Sequence, residues 1–600
     1  VAPFVYMIAR QVAGKPVAAF LALLSIVAPI NVYTAYFMPE AMYYFGFCVL
    51  SWIALTRTHW HWAAYGAATG LALGLLSLVK VHALFLAPAL CLFLPYVRWT
   101  AGGRWIATGL GSVGVALACV AAIKFGLGYL LAGDVALSLF GNFYQGAVNV
   151  AGNQRLLRLI DPAFINGRGH LMALVLLLPL PLALIAQSVL RPPAREQADK
   201  PALLQLYALL MLGAAAGVTV LYTASIAPLG VNHEGLRLHQ RYYDFVFPLL
   251  WLVAAAALGK RPDADRPALR WTISLILLAV LAFALFKLPT YWLNPVDGPE
   301  LYALSPDRLA GRILLGLDAA VLLLWALGRR SAGPLFLFVA LPMSVACGTL
   351  FTSDIVGTMR TETPADRAAS AALRYVPAAE RAQLTVAGTN AQDLMRAQFR
   401  IDDKDTSLVV LDGNPVIEQS QIPVRQKWLL LLGKYQLPAG IKPVVETNEF
   451  SLVRVNLAHR RVAGASFARP FGQGLIIGAE GLSHIEPWGR WSDAKRVVLH
   501  FSQPLPRHAR IVLKAQAYDV NTELPFTMHV GGRSEHFRLG WLPQEIGLMF
   551  DTDGNQRELA IDVPRPVRPS TRGQPDTRPI GIGLSEIEIG VIDQPDVAVK

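Results

Sequence analysis

"GAATGLALGLLSLVK", residues 66–80, runs without a charge until its last residue, Lys80. Its glycines at 66, 70 and 74 recur on one helical face, where the missing side chains let a second helix come close. A helix needs roughly 17 to 25 apolar residues to cross the hydrocarbon core of a bilayer. The rest of this half has the same character: apolar windows start near residues 16, 40, 62, 82, 107, 169, 202, 243, 269, 308 and 333, about eleven in all. Barrel strands would be shorter and would alternate apolar with polar, so the windows predict a polytopic α-helical bundle.

The 600-residue averages, 54% hydrophobic and 16% charged, hide two unlike halves. Up to about Phe351 the chain is a series of apolar runs, and beyond it the sequence reads as soluble protein. The predicted division is 1–352 for the membrane domain, 353–460 for a small α/β module and 461–600 for a β-sandwich. The net charge of +12 is spread over short loops and not gathered into a groove for nucleic acid. All four cysteines, Cys48, Cys91, Cys119 and Cys347, fall in predicted spans without metal-ligand spacing and read as packing residues.

Basic residues concentrate in alternate loops, "ARQVAGK", "RTHWHW", "RWTAGGR", "RPPAREQADK", "KRPDADRPALR" and "GRR". By the positive-inside rule these are cytoplasmic. Glu40, the loops 133–168, 228–242 and 288–307, and the whole C-terminal part then share the outer face. The opening "VAPFVYMIAR" has no initiator Met and resembles the end of a span, so a further segment is expected upstream. The outer loops also carry Arg155, Arg158, Arg168, Arg237 and Arg241, where basic residues are not expected. Guanidinium binds phosphate bidentately, which suggests an anionic ligand; pairing with lipid headgroups or with Asp134, Asp161 and Glu234 is the alternative.

In the soluble half, "TPADRAASAALRYV" has helical spacing behind a Thr-Pro cap, while "QLTVAG", "SLVVLD", "KWLLLLG" and "FSLVRV" read as strands. From about Ala463 seven strand-like runs, "RVVLHFS" to "IGIGLSEIEI", alternate with Pro, Gly and Asp clusters and predict an antiparallel, jelly-roll-like sandwich. Before it, "GLSHIEPWGRWSD" sets Trp488 and Trp491 beside Glu486, Arg490 and Asp493. Such a group suits a sugar ring, but a Trp pair closing one end of a sandwich is the commoner explanation. Asp576 and Arg578 read as a structural pair.

No HExxH, CxxC, GxSxG or P-loop occurs, so metalloprotease, serine hydrolase and ATPase chemistry have no residues to stand on. What remains is polar groups at the outer ends of spans. Glu40 follows Pro39 at a helix start, where a carboxylate is favourable whether or not it has a further role. Lys80 either snorkels to headgroups or meets an anion. His82 reads as an interfacial residue. The stretch "NHEGLRLHQRYYDF" adds His233, Glu234, Arg237, His239, Arg241 and Tyr242.

The order "MPEAMYYF", "GLALGLLSLVKVHALFLAPAL", "HQRYYDFVFPLL" resembles the bacterial C-type glycosyltransferases, protein mannosyltransferase-like and aminoarabinose transferase-like, over most of the membrane half. The tail with "EPWGRWSD" and "DTRPIGIGL" is similar to modules on envelope-glycan transferases. The resemblance implies an inverting membrane glycosyltransferase of the bacterial inner membrane. It would move a sugar from a polyprenyl-phosphate donor to an envelope glycan, lipid or protein acceptor on the extracytoplasmic face. It implies that Lys80, Arg241, Tyr242 and Arg237 hold the donor phosphate, with Glu40 as a secondary acid and His82, His233, Glu234 and His239 lining the site. In the family the principal acid lies in the first outer loop, expected here upstream of Val1. Some relatives use a divalent metal; no ligand cluster in this sequence demands one. Two other classes stand beside this one: a flippase for lipid-linked sugars, which needs polar or broken helices at mid-membrane, and a membrane-anchored glycan-binding assembly protein. The spans read as apolar at mid-depth and show no repeat.

Overall fold

The structure, a computed structural model, describes the chain apart from residues 37, 140–154, 193, 196–198, 228–233, 260–266, 439–440, 456–458, 573–574 and 593–600. It divides into two compact units, Val1–Arg360 and Thr361–Lys600.

Each of the eleven apolar windows becomes a helix or a pair of helices in the first unit. Seven stretches are unbroken and long enough to cross a membrane: Trp62–Val79, Val81–Ala101, Trp105–Leu137, Lys200–Ile226, Pro267–Thr290, Leu309–Ala326 and Ala332–Met359. Two more windows are bent pairs, Lys15–Val27 with Pro29–Ala35 at 41° and Leu159–Leu177 with Pro179–Leu190 at 109°, and both breaks fall at a proline. The remaining two, Glu40–Thr56 and Asp244–Ala256, are shorter. Among the described residues seven helices, or nine if each bent pair crosses once, are long and apolar enough to span, so the expected count of about eleven is not confirmed. The outside of the bundle is apolar, with Leu110, Leu130, Phe286 and Leu350 all exposed, as lipid-facing helices require.

We label four of these helices: α1 (Glu40–Thr56), α2 (Trp62–Val79), α3 (Trp105–Ala121) and α4 (Leu309–Ala326). The glycine face of α2 meets α3 backbone to backbone. A Cβ at Gly66 would strike the carbonyl oxygen of Ser112, and one at Gly70 that of Ala116. Mid-depth is less apolar than the sequence suggests. Asp318, central in α4, is fully buried, and neither of its carboxylate oxygens has a hydrogen-bond partner among the described residues. The four cysteines are free thiols, Cys48 buried and the other three partly so.

The last spanning helix continues to Met359, through the predicted boundary at 352, and the division follows Arg360. The second unit opens with two helices, α5 (Pro364–Tyr375) and α6 (Ala391–Ile401). They pack on a mixed sheet of β1 (Leu384–Gly388), β2 (Ser407–Val410), β3 (Trp428–Leu432), β4 (Pro443–Glu446) and β5 (Phe450–Arg454), ordered β2-β1-β3-β5-β4. β1 pairs parallel with β2 and β3, and the other ladders are antiparallel.

Ten further strands form two antiparallel five-stranded sheets around a core of Phe467, Phe501, Phe526, Phe537 and Ile587. These are β6 (His459–Ser466), β7 (Ile476–Glu480), β8 (Arg490–Trp491), β9 (Arg496–Phe501), β10 (His508–Ala517), β11 (Phe526–Val530), β12 (Arg533–Phe537), β13 (Gln544–Asp551), β14 (Glu558–Asp562) and β15 (Ile582–Ile592). One sheet runs β13-β10-β15-β6 with β8 also on β15, and the other runs β12-β11-β14-β9-β7.

The α5 N-terminus shows why the chain turns into a helix there. The Thr363 hydroxyl accepts from the Asp366 N–H at 3.3 Å, and the Asp366 carboxylate accepts from the Thr363 N–H at 2.9 Å. Burial works to raise the Asp366 carboxyl, but hydrogen bonds from Arg396 and from Thr363 outweigh it and hold the group at about 2. A carboxyl depressed on folding stabilises the fold above its unfolded value and loses that contribution as pH falls. We expect amide exchange in the first turn of α5 to accelerate as pH drops from about 4 to about 2 in the wild type. In Asp366→Asn it should already be fast at neutral pH, with about 1 kcal/mol lost. In the bundle, Gly70→Leu should cost at least about 1–3 kcal/mol through overpacking against α3, read as a lower melting temperature of the detergent-purified protein.

Candidate functional site

Five segments far apart in sequence meet at one end of the bundle: residues 33–36 with 38–43, 80–82, 166–170, 234–244 and 291–300. Hydrogen bonds tie them together. The Tyr33 hydroxyl lies 3.2 Å from Asp244 Oδ2 and donates to the Val296 carbonyl at 3.1 Å. Asn166, fully buried, donates to the carbonyls of Gly235 and Arg237. The Leu238 N–H reaches the Trp292 carbonyl, and the Trp292 N–H that of Leu236.

Glu40 is the first residue of α1 and Lys80 the residue that ends α2. Lys80 Nζ donates to Glu40 Oε1 at 2.8 Å, with the two side chains 11% and 6% exposed. The other oxygen, Glu40 Oε2, is buried and has no hydrogen-bond partner among the described residues. The Lys80 ammonium also lies 4.5 Å from the centre of the Tyr242 ring and 5.9 Å from that of Tyr43. His82 stacks on Tyr242 with ring centres 4.6 Å apart and planes 11° from parallel. Arg241 donates through Nη2 to the Tyr242 hydroxyl at 3.1 Å. Tyr242 is thus the ring on which Lys80, His82 and Arg241 converge.

The loop holding Tyr242 is a run of short 3-10 turns, which cannot fix its own side chains as a helix does. Asp297 fixes them. Its side chain has no exposure, its Oδ2 accepts from Arg237 Nε at 2.6 Å, and its Oδ1 is 3.3 Å from His239 Nδ1 and 3.4 Å from Arg241 Nε. Its backbone carbonyl accepts from the Arg241 N–H at 2.7 Å. Burial pushes the Asp297 carboxyl up, but the hydrogen bond and charge of His239, then the hydrogen bond from Arg237 and the charge of Arg241, bring it below the usual range. Glu234 completes the set, 3.2 Å from Arg237 and 3.4 Å from His239 Nε2.

Of the sequence-nominated residues, Glu40, Lys80, His82, Glu234, Arg237, His239, Arg241 and Tyr242 are brought together. Arg168 instead donates to the Tyr291 hydroxyl and lies against the rings of Phe164 and Phe283. His233 and the side chains of Arg155 and Arg158 lie outside the described residues. Sequence reasoning missed Asp297, Asp244, Tyr33 and Asn166. Asp297 had a readable signal, an acid in an outer loop facing a surplus of arginines. The Tyr33–Asp244 pair had none, because 211 residues separate its members. Among the described residues no three His, Cys, Asp or Glu side chains are placed to hold a metal ion.

In the second unit, Trp488 and Trp491 form an edge-to-face pair at 5.1 Å. A Cβ at Gly583 on β15 would meet both rings. Glu486 is taken on both oxygens, by Trp488 Nε1 and by Arg578 Nη2, each at 3.0 Å. Arg490 donates to the carbonyls of Phe467 and Arg469, and Asp576 pairs with Arg578. The polar groups here bond one another, and each oxygen of Glu486 has a donor.

Comparison with known proteins gives partial matches. Residues 467–591 match a family described as a domain of unknown function, DUF7024. Phosphoglycerol transferase I of Salmonella choleraesuis is 31% identical over 116 residues, which is 19% of this chain and 15% of that protein. The same enzyme from Escherichia fergusonii is 28% identical over 117 residues, again 15% of its length. The chain thus matches well under a fifth of the length of these curated relatives. Among solved structures, ArnT from Cupriavidus metallidurans, bound to undecaprenyl phosphate, is similar over 75% of this chain and 81% of its own, with 16% identity and a TM-score of 0.36. The arabinofuranosyltransferase AftD from Mycobacteria is similar over 99% of this chain and 52% of its own, with 9% identity and a TM-score of 0.35.

Removing Asp297 leaves Arg237, His239 and Arg241 facing an empty place. Asp297→Ala should destabilise the first unit by about 3 kcal/mol, as expected when one partner of a buried ion pair is deleted. Glu234→Ala, at a more exposed position, should cost under about 1 kcal/mol. Thermal unfolding of the two variants in detergent, side by side, measures the difference.

Proposed function

We propose that the protein is a membrane glycosyltransferase that moves a sugar from a polyprenyl-phosphate donor to an envelope glycan, lipid or protein acceptor. The observation that carries this reading is the junction of Lys80, Arg241 and His82 on Tyr242, beside a buried Glu40 oxygen that has no hydrogen-bond partner among the described residues. In the reaction, the acceptor hydroxyl oxygen attacks the anomeric carbon and the bond from that carbon to the phosphate oxygen breaks. Polyprenyl phosphate leaves with the electron pair, and the hydroxyl proton passes to a carboxylate. Negative charge grows on the phosphate as the bond breaks, and fixed cations in a water-poor site stabilise it at little reorganisation cost.

Lys80 and Arg241 fit that task, and Arg237, tied to Asp297, extends the cationic edge. Tyr242 holds the two cations in place, while His239, Glu234 and His82 shape the wall. Glu40 Oε2 is suited to accept a hydrogen bond from the incoming hydroxyl and orient it. An attack from the face opposite the phosphate inverts the anomeric centre. The alternation of basic loops supports an inner-membrane protein with this site and the second unit on the extracytoplasmic side.

A transport reading has observations of its own, namely the two bent helix pairs and the buried Asp318 in mid-helix. One assay separates the two. Membranes containing the protein are incubated with radiolabelled polyprenyl-phosphate sugars, and both transfer and leaflet position are followed. We expect bond cleavage, lowered about 10²–10³-fold in Arg241→Ala and Lys80→Ala and at least about tenfold in Glu40→Gln, with Asp318→Asn close to wild type. Movement of intact lipid-linked sugar between leaflets, lost in Asp318→Asn, would replace this reading with the transporter.

A further inference from the structure

One hydroxyl joins two segments of the site, and its single proton decides the state of an acid that the transfer reaction does not use. Tyr33, with no exposure, sits on the short stretch Pro29–Ala35 that follows the bend in its helix pair. Its hydroxyl lies 3.1 Å from the Val296 carbonyl and 3.2 Å from Asp244 Oδ2. A phenol has one proton to give. The Val296 carbonyl can only accept, and among the described residues no other group donates to it. With the Tyr33 proton on Val296, the contact to Asp244 is a hydrogen bond only where the carboxyl supplies a proton and the Tyr33 oxygen accepts it.

The surroundings favour a neutral carboxyl there. Asp244 is 2% exposed, and neither it nor Glu300 forms an ion pair among the described residues. Glu300, 7% exposed, accepts from the Ile30 N–H and keeps its Oε2 without a partner among those residues. A second acid therefore holds the other end of the stretch that carries Tyr33. Burial first, and then the charge that Asp244 would carry, push the Glu300 carboxyl well above its usual range. Two acids in such a place do not ionise together. The other ionisable groups around them are Tyr33, Glu40, Tyr44, Lys80, Arg241 and Tyr243. Of these only Lys80 and Arg241 are cations, and each has a carboxylate of its own, Glu40 and Asp297.

Position gives the bond its consequence. Asp244 follows Tyr242 by two residues, and Val296 precedes Asp297 by one. Tyr33 thus ties the loop carrying Tyr242 to the loop carrying the acid that orients Arg237, His239 and Arg241. An ionised Asp244 would draw the Tyr33 proton, because a charged acceptor bonds about twice as strongly as a neutral one, and the Val296 carbonyl would lose its donor. It would also add a negative charge acting on Lys80, in competition with a phosphate.

We infer that Asp244 is kept as a neutral carboxylic acid that donates to the Tyr33 oxygen, and that Asp244 and Tyr33 are positioning residues for the cations of the donor-phosphate site. The proton and the bond stand on the geometry; the word donor rests on the proposed function. A carboxyl whose proton is held by folding keeps it through the usual carboxylate range and gives it up as pH rises, so the arrangement weakens toward alkaline pH.

Infrared difference spectra of the full-length protein in detergent at neutral pH, wild type minus Asp244→Asn, test the first part. A protonated-carboxyl stretch should be present in the wild type, lost in Asp244→Asn and shifted in Tyr33→Phe. The bands of an ionised carboxylate at Asp244 would overturn the inference. The transfer assay tests the second part. Asp244→Ala and Tyr33→Phe should raise the KM for the polyprenyl-phosphate sugar about tenfold, the size of one hydrogen bond, with kcat little changed. Asp244→Asn, whose amide donates to the same oxygen, should restore the KM that Asp244→Ala loses and make it less sensitive to alkaline pH. An Asn variant with a KM raised as far as that of Tyr33→Phe shows that the site needs the anion and sinks the inference, whether or not the Ala variant folds. Absence of transfer by every form, wild type included, strikes the proposed function and leaves the infrared spectra to decide the state of Asp244.

Discussion

A carboxylate with no solvent exposure, Asp297, sets the geometry of the polar end of the bundle. Arg237, His239 and Arg241 come from a stretch of short turns, and without a helix to orient them their directions depend on what they bind. Asp297 supplies that partner through its side chain for all three and through its backbone for Arg241. Once Arg241 is placed, its neighbour Tyr242 is placed with it. Lys80 and His82 then rest on the Tyr242 ring, and Lys80 in turn reaches Glu40. The order of dependence runs from one buried acid to the pair formed by the end of α2 and the start of α1.

Such burial is not a route to stability. The desolvation of two charges offsets most of their attraction, and apolar residues of similar size would hold the helices together as well. Here one member of the Lys80–Glu40 pair also keeps an oxygen without a partner, a cost that an apolar replacement would avoid. A polar group retained where it destabilises points to a role with a ligand. The same logic applies to Asp318, with one difference: it is buried in the middle of a helix and not at the junction of five segments.

Most of the first unit was legible because lipid imposes a simple rule, that apolar runs of a certain length must be helices. All eleven windows are helical. What the windows could not show is continuity, since Pro29 and Pro179 interrupt runs whose hydropathy does not change. The shared face of Glu40, Lys80 and Arg241 followed from charge alternation between loops. Contacts such as Asn166 with Arg237, or Tyr33 with Asp244, did not, because no periodicity links residues so far apart. In the second unit the strands were readable from alternation. The Trp488–Trp491 cluster was open to two readings from sequence, and the bonds of Glu486 to Trp488 and Arg578 and of Arg490 to the Phe467 carbonyl, which tie it into the sandwich, join residues that no periodicity links.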